Sequence, residues 1–587
     1  MIFLCSIFGF NTIVSPPLIA RFVDVMRHRG PDYESVTSVS TWTLGHQRLS
    51  IIDRTSEANQ PMSLNENVLA FNGEIYNYLE LSATHLSHEP LLTHSDTEVL
   101  LRCLNKYGVS ILNELNGMFA FSWFDSTRNK LILCRDRYGV KPLHWTRQGR
   151  NVYFSSEIKP LVGIAHSEEF ESQVIDAFVN DTATDFDEKT FLKGIYQVPP
   201  GNYLEVDSQG NVKLVRWYHG ADFSVDEACF KDENTLIDYY EDILSDSIRM
   251  RLRSDVPVCI TLSGGLDSSV IYTLAKENFS SAIKPFTFMH PGAETDESEK
   301  VGKLVGRYGD TFCGIHASEN EDFHEIMSAL DILEFPIWNP SAIGYLKTYK
   351  AIKDSGFTVV IEGHGADEQL GGYPYMVHAA CNDYIKAGNF CKAFDVYSVA
   401  RATENPALNQ RASGIKHILK FLLMVARVLG RQANGLEFML DDAFHYKILP
   451  IVLRAFDRLT MSQSLESRAP FMDYRIVELN RRLPIEQKVS AIGSKSILRR
   501  LLKRRGLDFI YKDQAKMGFA SDLPKLFNNP KNIKYLNSVV GKFHDSRYVD
   551  LKAKAVHALA KNTITWTDTE AIWKCFALEW VRSRYKS

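Results

Sequence analysis

Seven consecutive residues, Ser263-Gly264-Gly265-Leu266-Asp267-Ser268-Ser269, lie between a short apolar run, Val256 to Leu262, and a helical-looking stretch, Ser269 to Asn278. A strand feeding a Gly- and Ser-rich turn into a helix N-terminus presents unpaired backbone N–H groups and the positive end of a helix dipole to one anion. Such a loop suits a phosphate chain. A Walker loop would need Lys followed by Ser or Thr, and a dinucleotide-binding turn would space its glycines as G-x-G-x-x-G; neither is present. Asp267 instead sets a carboxylate beside the phosphates, which is repulsive unless a divalent cation lies between them. The expected ion is Mg²⁺, bridging Asp267 to a polyphosphate.

Two further strand ends belong to the same crevice. Pro285 to Phe288 runs into His290-Pro291-Gly292, and Thr358 to Ile361 runs into Glu362-Gly363-His364-Gly365-Ala366-Asp367-Glu368. In doubly wound sheets the ligand lies outside the carboxyl ends of the strands, so Asp367 is the expected second Mg²⁺ ligand opposite Asp267. Loss of pyrophosphate builds negative charge that positioned cations stabilise. Lys495, in Ser494-Lys495-Ser496, and Lys516, just before Gly518-Phe519, are the candidates, and Glu466 to Asp473 reads as structural support near the site.

The first half carries different chemistry. Cys5 opens an apolar strand, Cys5-Ser6-Ile7-Phe8-Gly9-Phe10, and a terminal Cys can use its own α-amino group as the base for its thiol. Arg27 to Asp32, Gln47 to Ser50, Phe71-Asn72-Gly73-Glu74-Ile75-Tyr76-Asn77 and Ser95-Asp96-Thr97-Glu98 follow in order. These residue types suit glutamine. Asn72 and the Gly73 N–H can hold the oxyanion of amide hydrolysis, Arg48 the α-carboxylate, and Asp96 with the carbonyls near Glu74 the α-ammonium.

The elements that must position these groups differ between the halves. Up to about residue 205, short strand-like runs (68–71, 118–124, 130–134 and 152–155) are separated by turn residues; from about 235, short apolar strands alternate with longer helical patterns. The 587 residues, 45% hydrophobic and 24% charged, are ordinary globular material with room for two to four domains. A net charge of −4 gives no electrostatic reason for a nucleic-acid partner. Nine scattered cysteines without C-x-x-C pairs imply reduced thiols and a cytoplasmic protein. No stretch is long and apolar enough for an integral membrane segment. The most lipid-like segment, 415–431, reads as a core helix with a solvated basic edge, the other reading being a helix on a membrane surface.

Taken together, these motifs resemble an asparagine synthetase of the glutamine-hydrolysing type, from Cys5 to about Phe519. The resemblance implies an N-terminal-nucleophile hydrolase αββα sandwich, the class II glutamine amidotransferase domain (residues 1–210). A linker (211–235) follows, then a doubly wound parallel-sheet ATP pyrophosphatase domain with a helical C-terminal part (236–587). It implies Cys5 as nucleophile, Asn72 and Gly73 as oxyanion hole, and Arg48, Glu74 and Asp96 with them as the glutamine pocket. Ser263 to Ser268, with Ser269 beside them, are the expected pyrophosphate contacts; Leu262, Phe288, Glu362 and Gly363 are the nucleotide contacts, Asp267 and Asp367 the Mg²⁺ ligands. Lys495 steadies the adenylation transition state. The partners implied are glutamine, ATP and a carboxylate acceptor, with ammonia passing through an internal tunnel; a homodimer is the self-association considered.

Two departures bear on activity. Met1-Ile2-Phe3-Leu4 precedes Cys5, whereas the family's nucleophile is the mature N-terminus; Leu4 encoded by an alternative bacterial start codon would restore it. His364 stands where asparagine synthetases usually carry a Glu that forms and consumes the acyl adenylate. An imidazole can accept a proton from attacking ammonia. Relatives with altered loops amidate other carboxylates, uronic acids among them, and a sister branch closes a β-lactam ring without the thiol. A non-catalytic scaffold is the remaining rival. The intact mass of the native protein is expected to correspond to a chain beginning at Cys5; a chain beginning at Met1 with full glutaminase activity would overturn this.

Overall fold

The computed structural model describes residues 5–12, 15–165, 169–220, 222–279, 283–289, 296–316, 323–340, 342–404, 415–429, 435–514 and 523–585. Alternation of side chains along extended backbone builds the first half. Ile7 faces inward between two sheets, while Phe8 and Phe10 face a helix, Pro16–Met26, through Phe22 and Met26. One antiparallel sheet orders its strands Ile195–Gln197, His144–Gln148, Asn151–Ser155, Ser6–Phe10, Trp42–Arg48, Tyr33–Val39. The other runs Val212–Arg216, Asn202–Asp207, Lys130–Arg135, Gly117–Asp125, Asn67–Ile75, Met62–Leu64. Ile7, Leu44 and Phe154 of the first meet Val68, Ala120 and Leu133 of the second, and the helix Asp96–Tyr107 covers the outer face of the second. This is the expected αββα sandwich.

Val212–Arg216 corrects the expected linker. It pairs with Asn202–Asp207 as the outer strand of the second sheet, so the first domain continues past residue 210. Its edge position leaves it largely exposed, which removes the apolar alternation that would have marked it as a strand.

The second half is built on a parallel five-stranded sheet ordered Cys313–His316, Lys284–Met289, Val258–Thr261, Val359–Ile361, Glu466–Arg468. The strand order reverses between Val258–Thr261 and Val359–Ile361, and loops leaving that point diverge to open a crevice. The C-terminal helices fold back on the first half. Lys574 donates to Val179 O at 2.8 Å and Arg547 pairs with Asp176 at 3.1 Å, while within the second half Trp573 Nε1 donates to Ile337 O at 2.7 Å. Among its described side chains, helix Ile415–Leu429, expected in a core, buries Phe421 and Val428 while leaving Ile418, Leu422, Leu423 and Leu429 exposed.

Buried ions join the two halves. The fully buried Arg29 guanidinium donates to Glu157 at 3.2 Å and to Asp457 at 2.9 Å; Arg458 meets Glu334 at 2.8 Å, and Glu334 also accepts from the Ile158 and Lys159 amides. Burial pushes the Asp457 carboxyl up, but Arg29, Lys141 and Arg458 outweigh it and hold Asp457 below the ordinary carboxylate range. Breaking such a pair from one side strands a charge. Asp457→Ala is therefore expected to destabilise the fold by about 3–5 kcal/mol, read as a lower thermal midpoint, with Asp457→Asn losing less; unchanged melting in both would refute this account of the interface.

Candidate active sites

The first site forms where Ser6–Phe10 begins. Cys5 Sγ accepts from the Leu49 N–H at 3.3 Å, and Arg29 Nε donates to the Cys5 carbonyl at 3.3 Å. Burial pushes the Cys5 thiol up to about 12; the Leu49 hydrogen bond and Arg48 oppose this, while Glu466 and Glu74 add to it. The thiol does not ionise by itself and needs a base. Residues 1–4, on which a freed Cys5 amine depends, lie outside the described residues.

Arg48 holds the rim of this site. It donates to Thr55 O at 2.9 Å, Asn59 Oδ1 at 2.8 Å, Ile52 O at 3.3 Å and Asp53 O, so its guanidinium organises the loop 52–59. Asn72 is 1% exposed, and neither atom of its amide has a partner among the described residues. A buried amide left so is costly unless something else satisfies it. Gly73 beside it has φ +142°, and a Cβ there would lie 2.0 Å from Met118 O, so only glycine fits.

Acids gather opposite the thiol. Asp96, in the first turn of its helix, accepts from the Ile75 amide at 2.9 Å, yet burial, with Glu466 nearby, pushes it up to about 7. Glu74 is likewise pushed well up by burial, against the pull of Arg468, whose guanidinium lies 3.1 Å from it. A cation brought among these carboxyls would favour their ionised form. Arg468 and Glu466 come from the parallel sheet, more than 300 residues away in sequence, and the motif reading took them for support alone. No local signal marks them, since a charged residue on a short strand reads as solvent-facing.

The second site is a cavity of about 890 Å³ at the reversal of the parallel sheet. Leu262, Ser263, Gly264, Gly265, Leu266, Asp267 and Ser268 line it together with Phe288, Glu362, Gly363, His364, Asp367 and Lys495. Ser269 does not: it is fully buried on the core side of helix Leu266–Phe279, in that helix's first turn. Within the loop, the Gly265 amide donates to Ser263 Oγ at 3.2 Å and the Ser263 amide to Ser268 Oγ at 3.3 Å, which holds the turn in shape.

Lys495 pairs with both expected metal ligands, with Asp367 at 2.8 Å and with Asp267 more closely. Burial works against its charge, but the two carboxylates raise it above the ordinary lysine range. Its backbone is left-handed, φ 54° and ψ 42°, a conformation that costs a non-glycine residue on the order of 1 kcal/mol. Gly372 makes room for the cluster: a Cβ there would lie 1.7 Å from Asp367 Oδ1. Two carboxylates gathered about one cation are the donor set that Mg²⁺ on a polyphosphate uses.

Glu362, expected against the nucleotide, lines this cavity and is held by its neighbours. It accepts from Tyr349 OH at 2.8 Å, Thr261 Oγ1 at 3.2 Å and Ser467 Oγ at 2.5 Å, and it faces His364 Nε2 at 3.2 Å. Burial raises this carboxyl, but His364 and the hydroxyls outweigh it and leave Glu362 below the ordinary range. The His364 ring lies on Phe456, centroids 3.7 Å apart. Trp338, Tyr345, Tyr373, Tyr375 and Trp566 add an aromatic wall that the motifs did not reveal. Lys516, His290-Pro291-Gly292 and Gly518-Phe519 lie outside the described residues.

A thiol at the head of an αββα sandwich, joined to a phosphate-type loop on a parallel sheet, defines the class of glutamine-dependent carbon–nitrogen ligases. Residues 4–218 match the family model described as a glutamine amidotransferase domain, and residues 239–581 match the one described as asparagine synthase. The chain is 26% identical over 568 residues to asparagine synthetase [glutamine-hydrolyzing] 1 of Bacillus subtilis, covering 91% of this chain and 88% of that protein. It is 30% identical to asparagine synthetase B [glutamine-hydrolyzing] of Escherichia coli over 71% of this chain and 73% of that one. It is also 29% identical to amidase chry2 of Gibberella zeae, over 60% of this chain and 54% of the relative. The chain belongs to the asparagine synthase family.

If Asp96 holds the substrate ammonium, its carboxyl, pushed up to about 7, would tie capture to pH. Below that value Asp96 is neutral and loses its attraction for an ammonium group; above it the attraction is complete. KM for glutamine is expected to fall as pH rises through about 7, and Asp96→Asn to raise KM by tenfold or more, roughly a charge-assisted hydrogen bond, while flattening the profile. A flat wild-type profile would remove Asp96 from the ammonium site.

Proposed function

We propose that the protein is an asparagine synthase that uses glutamine: it amidates L-aspartate through an acyl adenylate and releases AMP, pyrophosphate and glutamate. The observation that carries the reading is Lys495 held between Asp267 and Asp367 at the end of the Ser263–Ser268 loop. That cluster is a place for a leaving pyrophosphate and serves no evident packing purpose.

In the first half-reaction the Cys5 thiol passes its proton to the α-amino group of Cys5, free in a chain started at position 4 and trimmed of its initiator Met, and the thiolate attacks the side-chain amide carbon of glutamine. Asn72 and the Gly73 amide take the oxyanion, ammonia leaves with the proton, and water hydrolyses the thioester to glutamate. Arg48 orients the α-carboxylate, and Asp96 with Glu74 the ammonium. In the second, a carboxylate oxygen attacks the α-phosphate of ATP and the bond to pyrophosphate breaks, the leaving charge being met by Lys495. Asp267 and Asp367 are the residues that would hold Mg²⁺, which supplies charge neutralisation on the phosphates when bound. Ammonia then attacks the acyl carbon and AMP leaves, so hydroxide never has to. Glu362 orients His364 as the group that takes the proton from attacking ammonia. All nine cysteines are free thiols, and among the described residues no helix is long and apolar enough to cross a membrane, which supports a reducing, cytoplasmic setting.

The Glu362–His364 pair and the aromatic wall favour a second reading, an acceptor other than aspartate such as a uronic acid. The presence of both Cys5 and Asn72 argues against a β-lactam-type cyclase, which would not use them. ATP-dependent pyrophosphate release with saturating ammonia separates the acceptors: release with L-aspartate and formation of asparagine are expected, whereas silence with aspartate and release with a uronate would establish the second reading. Cys5→Ala is expected to abolish glutamine-dependent synthesis while sparing the ammonia-dependent reaction; equal loss of both would refute separate sites.

A further inference from the structure

Helix Ile415–Leu429 has the sequence IKHILKFLLMVARVL, with basic residues and no Asp or Glu. It is attached to the protein along one side. Phe421 and Val428 are buried in a small core with Tyr397, Leu436 and Ala380, and Met424 and Val425 pack half-buried against it. At about 100° per residue, Ile418, Leu422, Ala426 and Leu429 lie in one stripe beside the face that Phe421 and Val428 bury, with Leu423 farther round the helix. Their exposure agrees: Ile418 is 50% exposed, Leu422 55%, Leu423 56% and Leu429 63%. Single exposed leucines are ordinary, but four on one helical face are not.

The charges say what this face meets. Lys420 and Arg427, seven residues apart and so nearly in line, run along the border beyond Leu423. Both are exposed, and neither has an ion-pair partner among the described residues. We propose that helix Ile415–Leu429 docks the protein on an anionic lipid surface, its leucines entering the acyl boundary while Lys420 and Arg427 extend to headgroup phosphates. A second copy of the chain is a poorer occupant, because this helix brings no carboxylate to meet those cations. With no helix suited to crossing a membrane among the described residues, the association is peripheral. The neighbouring helices Pro374–Lys386 and Leu436–Asp442, which share its small core, lend Tyr375, Met439 and Asp442 to the wall of the ligase cavity, so the docking surface and that cavity belong to one helical unit.

The test is co-sedimentation of the full-length protein with vesicles of phosphatidylcholine alone and with about one third phosphatidylglycerol, at low and high salt. Pelleting with the anionic vesicles, weakened by salt, is expected. Leu422→Ser combined with Leu429→Ser is expected to lower the bound fraction by about tenfold or more, and Lys420→Glu with Arg427→Glu to remove the preference for anionic lipid. Circular dichroism of both variants should match wild type, since all four side chains are exposed. Absence of pelleting with anionic vesicles would overturn the proposal, as would equal pelleting by wild type and both variants. A leucine variant that changes the oligomeric state by analytical ultracentrifugation but not vesicle binding would also overturn it, in favour of self-association.

Discussion

A three-residue strand, Glu466-Ser467-Arg468, sets the position of both sites. It is the edge of the parallel sheet, and its side chains alternate. Arg468 and Glu466 pair with each other at 2.7 Å and reach the first site, where Arg468 meets Glu74; Ser467 turns the other way and donates to Glu362 in the second. Arg468 is fully buried, donates to the carbonyls of Arg251 and Arg253, and lies over the Tyr76 ring. Without it, Glu74, Asp96 and Glu466 would share one low-dielectric space with little to balance them. The spacing between the two sites is therefore a property of extended backbone, which hardly stretches.

The same arrangement explains why the first site favours glutamine on the proposed reading. An amino acid brings its own ammonium and carboxylate, one for Asp96 and Glu74, the other for Arg48. Binding neutralises a cluster that is strained by proximity when alone, and it satisfies Asn72, whose amide has no protein partner among the described residues. The ligase site achieves balance internally, through Lys495 and its two aspartates.

What the chain discloses without coordinates follows from how local each feature is. The Ser263–Ser268 loop, Cys5 with its strand, and the run Asn72-Gly73-Glu74 are contiguous and chemically specific, and the parallel sheet announces itself by short apolar strands between helices. Arg468, Asp457 and Glu334 are illegible because each is defined by a partner more than a hundred residues away; in isolation a charge on a strand or helix reads as solvated. Ser269 differs for another reason: one residue past Ser268 along the helix the side chain has rotated by about 100° and leaves the ligand face for the core. Val212–Arg216 hid because an edge strand needs no apolar face, and Gly372 because a glycine's reason for being there is another residue's carboxylate.

The contact between the two halves has a further consequence. It is sealed by Arg29, Glu157, Asp457, Arg458 and Glu334, groups whose partners must match in sign and in position. An apolar interface tolerates exchange of one side for a relative of similar shape; an ionic one does not, because a single mismatch buries an unanswered charge. The amidotransferase and ligase halves of this chain are thus not interchangeable parts. Each can drift in sequence only where the other follows, and a chimaera assembled from two family members would have to carry this whole constellation across together.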